Sequence, residues 1–194
     1  MEILKHPHPL LSRKCHALRR VDAELLAMMD EMFAIMYRAK GVGLAANQVG
    51  IPYRFFIMNP SGDAEKPEEE RVYMNPVVTL GAGKPVRDEE GCLSFPKVYA
   101  EVLRAPKVTI RAYDRAGKEI HEVHEGFAAR IIQHEYDHLE GVSFVERLDG
   151  EDREEAEMDM VEVRRTHAEL WVYGESFSED ESVKRWEEMV IRNA

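Results

Sequence analysis

The sequence predicts an α+β fold in which antiparallel strands wrap a central helix. Three observations predict it. Residues 22–40 carry apolar side chains at spacings of three and four (Leu25, Met28, Met29, Met32, Phe33, Met36, Tyr37), the helical period. Residues 53–123 hold short alternating stretches separated by Gly, Pro and Asp, the pattern of strands and turns. Residues 126–141 then return to a helical period with two histidines four apart.

The first helix opens at Asp22, a good N-cap. Its methionine stripe is expected to pack in the core, because Met fills irregular interiors well. Before it, Pro7 and Pro9 mark an extended arm, with basic residues from Arg13 to Arg20. Residues 53–58 are expected as a strand and 59–71 as an acidic surface loop. Residues 72–80 are expected as extended chain broken at Pro76. Residues 88–96 have loop composition. Residues 98–103 and 107–113 alternate as strands, and Asp114-Arg115-Ala116-Gly117 turns the chain back into 119–123 as a hairpin.

The chain of 194 residues, 44% hydrophobic and 32% charged, suits one domain with an ample core. A net charge of −11 argues against broad binding to nucleic acid or anionic membrane. Two cysteines, Cys15 and Cys92, cannot form a disulfide framework, so a reducing, cytoplasmic setting is expected. The N-terminus lacks the apolar run of a secretory signal, and no stretch has transmembrane length.

The helix of residues 126–141 contains His134-Glu135-x-x-His138. At ~100° per residue the two imidazoles lie within about 40° of each other on the wheel. Phe127 and Ile131 share that side, so the histidines are expected to face inward, with Gln133, Tyr136 and Asp137 pointing elsewhere. Gly141 is placed to stop the helix. Two imidazoles at this spacing suit one metal ion, and a glutamate between them suits proton transfer from a water. A third ligand is then needed. Cys92 beside Gly91 is the candidate, although a lone cysteine is usually an inert small hydrophobe. His121 and His124 sit three apart in a strand and cannot converge on one ion.

Gly41-x-Gly43-x-x-Ala46 imitates a dinucleotide-binding fingerprint. That fingerprint follows a strand, whereas here it follows a helix, which argues against it. A metalloprotease would share His134-Glu135-x-x-His138 without needing the glycine-rich segment or the cysteine loop.

Taken together, Gly41-Val42-Gly43-Leu44-Ala45-Ala46-Asn47-Gln48, Glu90-Gly91-Cys92-Leu93-Ser94 and Gln133-His134-Glu135-Tyr136-Asp137-His138 resemble, in order, the three motifs of the peptide deformylase family. The resemblance runs from the N-terminus to about residue 148. It implies a metal held by Cys92, His134 and His138, with ferrous iron usual and zinc, nickel or cobalt able to replace it. It also implies Glu135 as general base and Gln48 with the Leu93 backbone N–H as oxyanion donors. The implied reaction releases formate from the formyl-methionine of nascent polypeptides. Val42, Gly43, Leu44, Gly91, Phe127 and Ile131 become candidates for the substrate cleft, and Glu90–Arg104 for an ion pair steadying the Cys92 loop. Arg130 is expected to line the pocket with its stem and reach solvent with its head. Tyr99 lies where preference beyond methionine is open.

The division expected is a catalytic domain over residues 1–165 and a helical extension over 166–194. Met158, Val161 and Leu170 are the expected contacts of the charged stretch before it. Ser178-x-x-Glu181 matches a capping box ahead of Val183, Trp186 and Val190. In bacterial members of the family this chain resembles, a C-terminal helix can dock on the ribosome near the exit tunnel. Here Arg164, Arg165, Lys184, Arg185 and Arg192 are interleaved with many acids, which argues against ribosome docking through this tail, so a transient ribosome contact competes with packing on the body or a dimer contact. A chain cut at Gly174 is expected to keep activity on a short peptide if the extension is only an appendage.

Overall fold

The computed structural model describes residues 1–172 and 181–193. Among the described residues the helices are α1 (Ala23–Arg38), α2 (Gly126–Leu139), α3 (Gly150–Val172) and α4 (Glu181–Asn193). The strands among the described residues are β1 (Gly43–Ala45), β2 (Phe55–Met58), β3 (Arg71–Leu80), β4 (Val86–Cys92), β5 (Phe95–Arg104), β6 (Lys107–Tyr113) and β7 (Glu119–Glu125). One sheet has the order β1-β2-β3-β6-β7, and β4 pairs with β5 in a second. Every strand pair is antiparallel. This is the α+β arrangement the sequence predicts.

Local chemistry accounts for most boundaries. Asp22 caps α1 by accepting from the Leu25 N–H at 3.0 Å, and the methionine stripe is buried over β1 and β2. The β6–β7 hairpin closes through Asp114, whose carboxylate accepts from the Ala116 and Lys118 N–H groups. Gly141 ends α2 at φ +76°, and a Cβ there would lie 2.6 Å from the Ser12 carbonyl oxygen. Glycine therefore meets both the backbone conformation and the close approach.

Several expectations are corrected. Residues 88–96 form no loop; they span β4, a two-residue turn and the start of β5. Asp88 and Glu89 are poor strand formers with no apolar alternation, so only pairing with β5 makes this segment extended. Pro76 does not break β3. The register shifts between Met74 and Val77, with Asn75 at φ +49°, so a bulge absorbs the missing N–H. Gln133 and Asp137 do not point away from the interior: both are buried, because from Ala129 onward all but Tyr136 of the α2 residues are enclosed. In α3, Met158 and Val161 are exposed while Ala156, Met160 and Val163 pack against β5 and Phe144. The Leu170 side chain and Ser178 lie outside what is described.

The described part of the extension is docked on the body. Val183 and Trp186 join Leu10 and Cys15 in one core cluster, and Met189 joins α1 in another. The Tyr53 hydroxyl donates to the Met189 carbonyl at 3.1 Å. The 165/166 division falls inside α3, so helix rather than linker crosses it. Trp186 is 2% exposed. Trp186→Ala should cost about 3–5 kcal/mol of docking free energy. Hydrogen exchange checks this: the α4 amides should lose protection, whereas unchanged exchange would mean that the indole does not hold the helix.

Candidate active site

α2 presents His134 and Glu135 to a cleft of about 600 Å³, with His138 one turn further along and fully buried. The cleft lies between β1 on one side and the β4–β5 hairpin on the other. The turn at the hairpin tip brings Cys92 to α2, with its Sγ 3.2 Å from His138 Nε2. The ligand atoms of Cys92, His134 and His138 all lie within 4.8 Å of one another. A four-coordinate ion with bonds of about 2.0–2.3 Å sets its donors roughly 3.3–3.8 Å apart, so these three side chains need only close in slightly to share one ion.

Charge and hydrogen bonding prepare these donors. His134 Nδ1 faces Glu90 Oε2 at 2.9 Å, which leaves Nε2 for an ion. Burial pushes the His134 imidazole down, but contacts with Cys92 and Glu90 outweigh it and set it well above the ordinary value. Burial, with His134 and Arg104 nearby, holds His138 well below its ordinary value, so it is a neutral donor. Its backbone carbonyl accepts from Asn47 Nδ2 at 2.6 Å, tying the glycine-rich segment to the end of α2.

Glu90 is the hub of the support. Its carboxylate accepts two bonds from Arg104 (2.9 and 3.0 Å) and one from Arg130 (2.8 Å) in addition to the His134 contact. Burial alone would raise its pKa; His134 and Arg104 reverse that and hold it down at about 2. Arg104 continues to Asp137 at 2.6 Å, and Asp137 also receives Arg147. The Arg130 head does not reach solvent as expected. It is buried and also donates to the Val86 and Val102 carbonyls, because the β4–β5 hairpin closes over it.

Glu135 is 4% exposed, and its Oε2 has no hydrogen-bond partner. Burial pushes its carboxyl up to about 7, with Glu90 adding and His134 opposing. Gly43 makes room for it: a Cβ at 43 would fall 2.4 Å from Glu135 Oε1 and 2.9 Å from Ile131 Cγ2. Gln48 turns its side chain back into the site. Its Oε1 accepts from the Ala45 N–H at 2.8 Å, and its Nε2 lies 3.1 Å from Ser94 Oγ and 3.4 Å from Cys92 Sγ.

Of the remaining candidates, Val42, Gly43, Gly91, Leu93, Phe127 and Ile131 all line the cleft. Leu44 does not. Alternate residues of β1 face opposite ways, so Leu44 is fully buried in the core under α1. Tyr99 lies against Gly91 and is 61% exposed at the cleft mouth. His121 is exposed on the outer face of β7, while His124 faces the Tyr73 hydroxyl and Glu122. Sequence reasoning missed Asn47, Asp137 and Arg147. Their only signal was a polar residue beside or between motif positions, which spacing cannot assign to a partner.

A family model described as polypeptide deformylase matches residues 1–154. The chain belongs to the peptide deformylase family. It is 44% identical over 148 residues to the peptide deformylase of Rhodopirellula baltica, covering 76% of this chain and 73% of that protein. With the Phenylobacterium zucineum peptide deformylase it shares 42% over 155 residues, covering 80% and 91%. Among solved structures, a peptide deformylase from Plasmodium falciparum superposes with a TM-score of 0.82 at 34% identity, over 86% of this chain and 97% of that one. The chain is thus a deformylase that removes the N-formyl group from nascent polypeptides, and among the described residues Cys92, His134 and His138 form a candidate metal site. Among the described residues no helix is long and apolar enough to cross a membrane.

Proposed function

We propose that this deformylase is an iron(II) enzyme in which Cys92, His134 and His138 hold the ion, Glu135 moves the proton, and Gln48 with Leu93 binds the developing oxyanion. The observation that carries the assignment is the unpartnered, buried Glu135 Oε2 beside three converging donors. A thiolate and two imidazoles suit iron, zinc, nickel or cobalt, and the family favours iron. When bound, the ion supplies Lewis acidity and brings water toward neutral pKa.

The protein's own groups do the rest. Glu135 takes a proton from the attacking water and returns it to the leaving amine, so formate and a free N-terminal methionine separate. The Gln48 amide and the Leu93 N–H donate to the formyl oxygen as charge builds there. Val42, Phe127 and Ile131 form apolar walls for the methionine side chain. Among the described residues β1 is an edge strand that pairs with β2 alone, so a peptide can add to it as a strand past Gly43, with Gly91 opposite.

The setting proposed is cytoplasmic, with residues 1–165 as the catalytic domain and 166–194 as its extension. A transient ribosome contact is assigned to the outer face of α4, where Lys184 and Arg185 are exposed among Glu181, Glu187 and Glu188. Neither nucleic-acid sequence recognition nor membrane binding belongs to the proposal.

The test is formate release from formyl-Met-Ala-Ser under anaerobic conditions, before and after removal of metal with a chelator. Activity should vanish without metal and return most fully with iron(II). Equal or higher activity with zinc would overturn the choice of iron, and full activity after chelation would overturn the metal site.

A further inference from the structure

The N-terminal arm reaches both segments that carry the proposed oxyanion donors. The Leu4 N–H donates to the Gln48 carbonyl at 2.7 Å, and the His6 N–H to the Ser94 carbonyl at 2.9 Å. Between them, the Lys5 ammonium donates to the Leu93 carbonyl at 2.5 Å. The His6 ring stacks on Phe95 with centroids 4.8 Å apart. Three consecutive residues thereby clip together two parts of the fold that are distant in sequence. Gln48 comes from the 3-10 turn Ala46–Val49, and Leu93 from the tip of the β4–β5 hairpin.

We propose that Lys5 is a positioning residue for the oxyanion site, anchoring the Leu93 carbonyl so that the Leu93 N–H holds its direction. This rests on the reading of Gln48 and Leu93 as oxyanion donors. The Leu93–Ser94 turn is only two residues long, and β pairing secures the chain on either side of it. One backbone bond from the arm (His6 to Ser94), the Lys5 side-chain bond to Leu93 and the Gln48 side chain on Ser94 hold the tip itself to the body. The Lys5 bond is the one that acts on Leu93. It is charge-assisted, hence stronger than a neutral pair. Lys5 also lines the cleft wall beside Cys92 and Leu93, so its ammonium stands close to where negative charge develops. A donor displaced by a fraction of an ångström loses much of its effect in the transition state and little in the ground state.

Lys5→Met keeps the length of the stem and the two backbone bonds while removing the ammonium. Lys5→Arg keeps a cationic donor. Both belong in the full chain, loaded to equal metal content and assayed for kcat and KM with formyl-Met-Ala-Ser. Losing a charged hydrogen bond predicts a kcat reduced about 10- to 100-fold in Lys5→Met. KM should stay within about two-fold of wild type, and Lys5→Arg should restore most of the loss. Lys14→Met is the control for charge, since Lys14 is exposed and pairs with Glu140 away from the cleft. Wild-type kcat in Lys5→Met would overturn the proposal. So would equal losses in both variants accompanied by lower metal content or thermal midpoint, the mark of a purely structural role. Gln48→Ala separates the two layers of inference. If it loses kcat while Lys5→Met does not, only the role of Lys5 fails; if it keeps wild-type kcat, the oxyanion reading fails first.

Discussion

Glu135→Gln is expected to lower formate release by about 10²–10⁴-fold, the range that positioned proton transfer contributes. Glutamine matches glutamate in shape, so the crowded contact with Gly43 and Ile131 is preserved. What disappears is the ability of a buried carboxylate, held near neutrality at about 7, to accept a proton and give it back. The three candidate ligands are untouched by the exchange. Metal content measured on the purified variant should therefore equal that of wild type while turnover collapses. Turnover within a few-fold of wild type would remove Glu135 from the reaction and leave it as a space-filling neighbour of the histidines.

Glu90→Gln carries the second large effect, on stability and metal affinity together. The carboxylate is 6% exposed and faces two guanidinium groups and an imidazole. Its neutral replacement turns an amide NH₂ toward donors that already need acceptors. Arg104 keeps Asp137, but Arg130 keeps only backbone carbonyls among its close acceptors. Breaking a buried charge cluster from one side typically costs ~3–5 kcal/mol. The metal-free protein should unfold at correspondingly lower urea concentration. His134 also loses the carboxylate that orients its ring, a change that costs ~10–100-fold in metal affinity at comparable sites. Competition with a chromophoric chelator measures that second loss. Unchanged stability and unchanged affinity together would mean that Arg104 and Arg130, rather than Glu90, organise the loop.

Much of the site was legible in the sequence for a chemical reason. His134 and His138 sit four apart, and a helix converts that spacing directly into proximity on one face. Gly41 to Gln48 and Glu90 to Ser94 carried the family pattern, so Cys92 could be matched although it lies more than a helix away in sequence. The misreadings share another cause. Asp88 and Glu89 form strand only because β5 pairs with them, and Leu44 follows the alternation of a strand only three residues long. Gln133 and Asp137 look like a solvated helix face until the sheet and Arg104 enclose them. The arm of residues 1–20 carried no period at all, and its bonds to Gln48 and Ser94 come from backbone groups that composition does not reveal.

By itself the sequence determined the local elements with strong periodicity, the donors on α2 and the chemistry they suit. Those properties depend on side chains a few residues apart, and backbone geometry converts such spacing into position without help. Only the tertiary structure decided which wall each loop supplies, that Glu90 joins Arg130 and His134 in addition to the expected Arg104, and that α4 docks through Trp186. These contacts join residues separated by up to most of the chain. They form because burial leaves a charge or an indole no other partner, a constraint that exists only once the surrounding elements have closed.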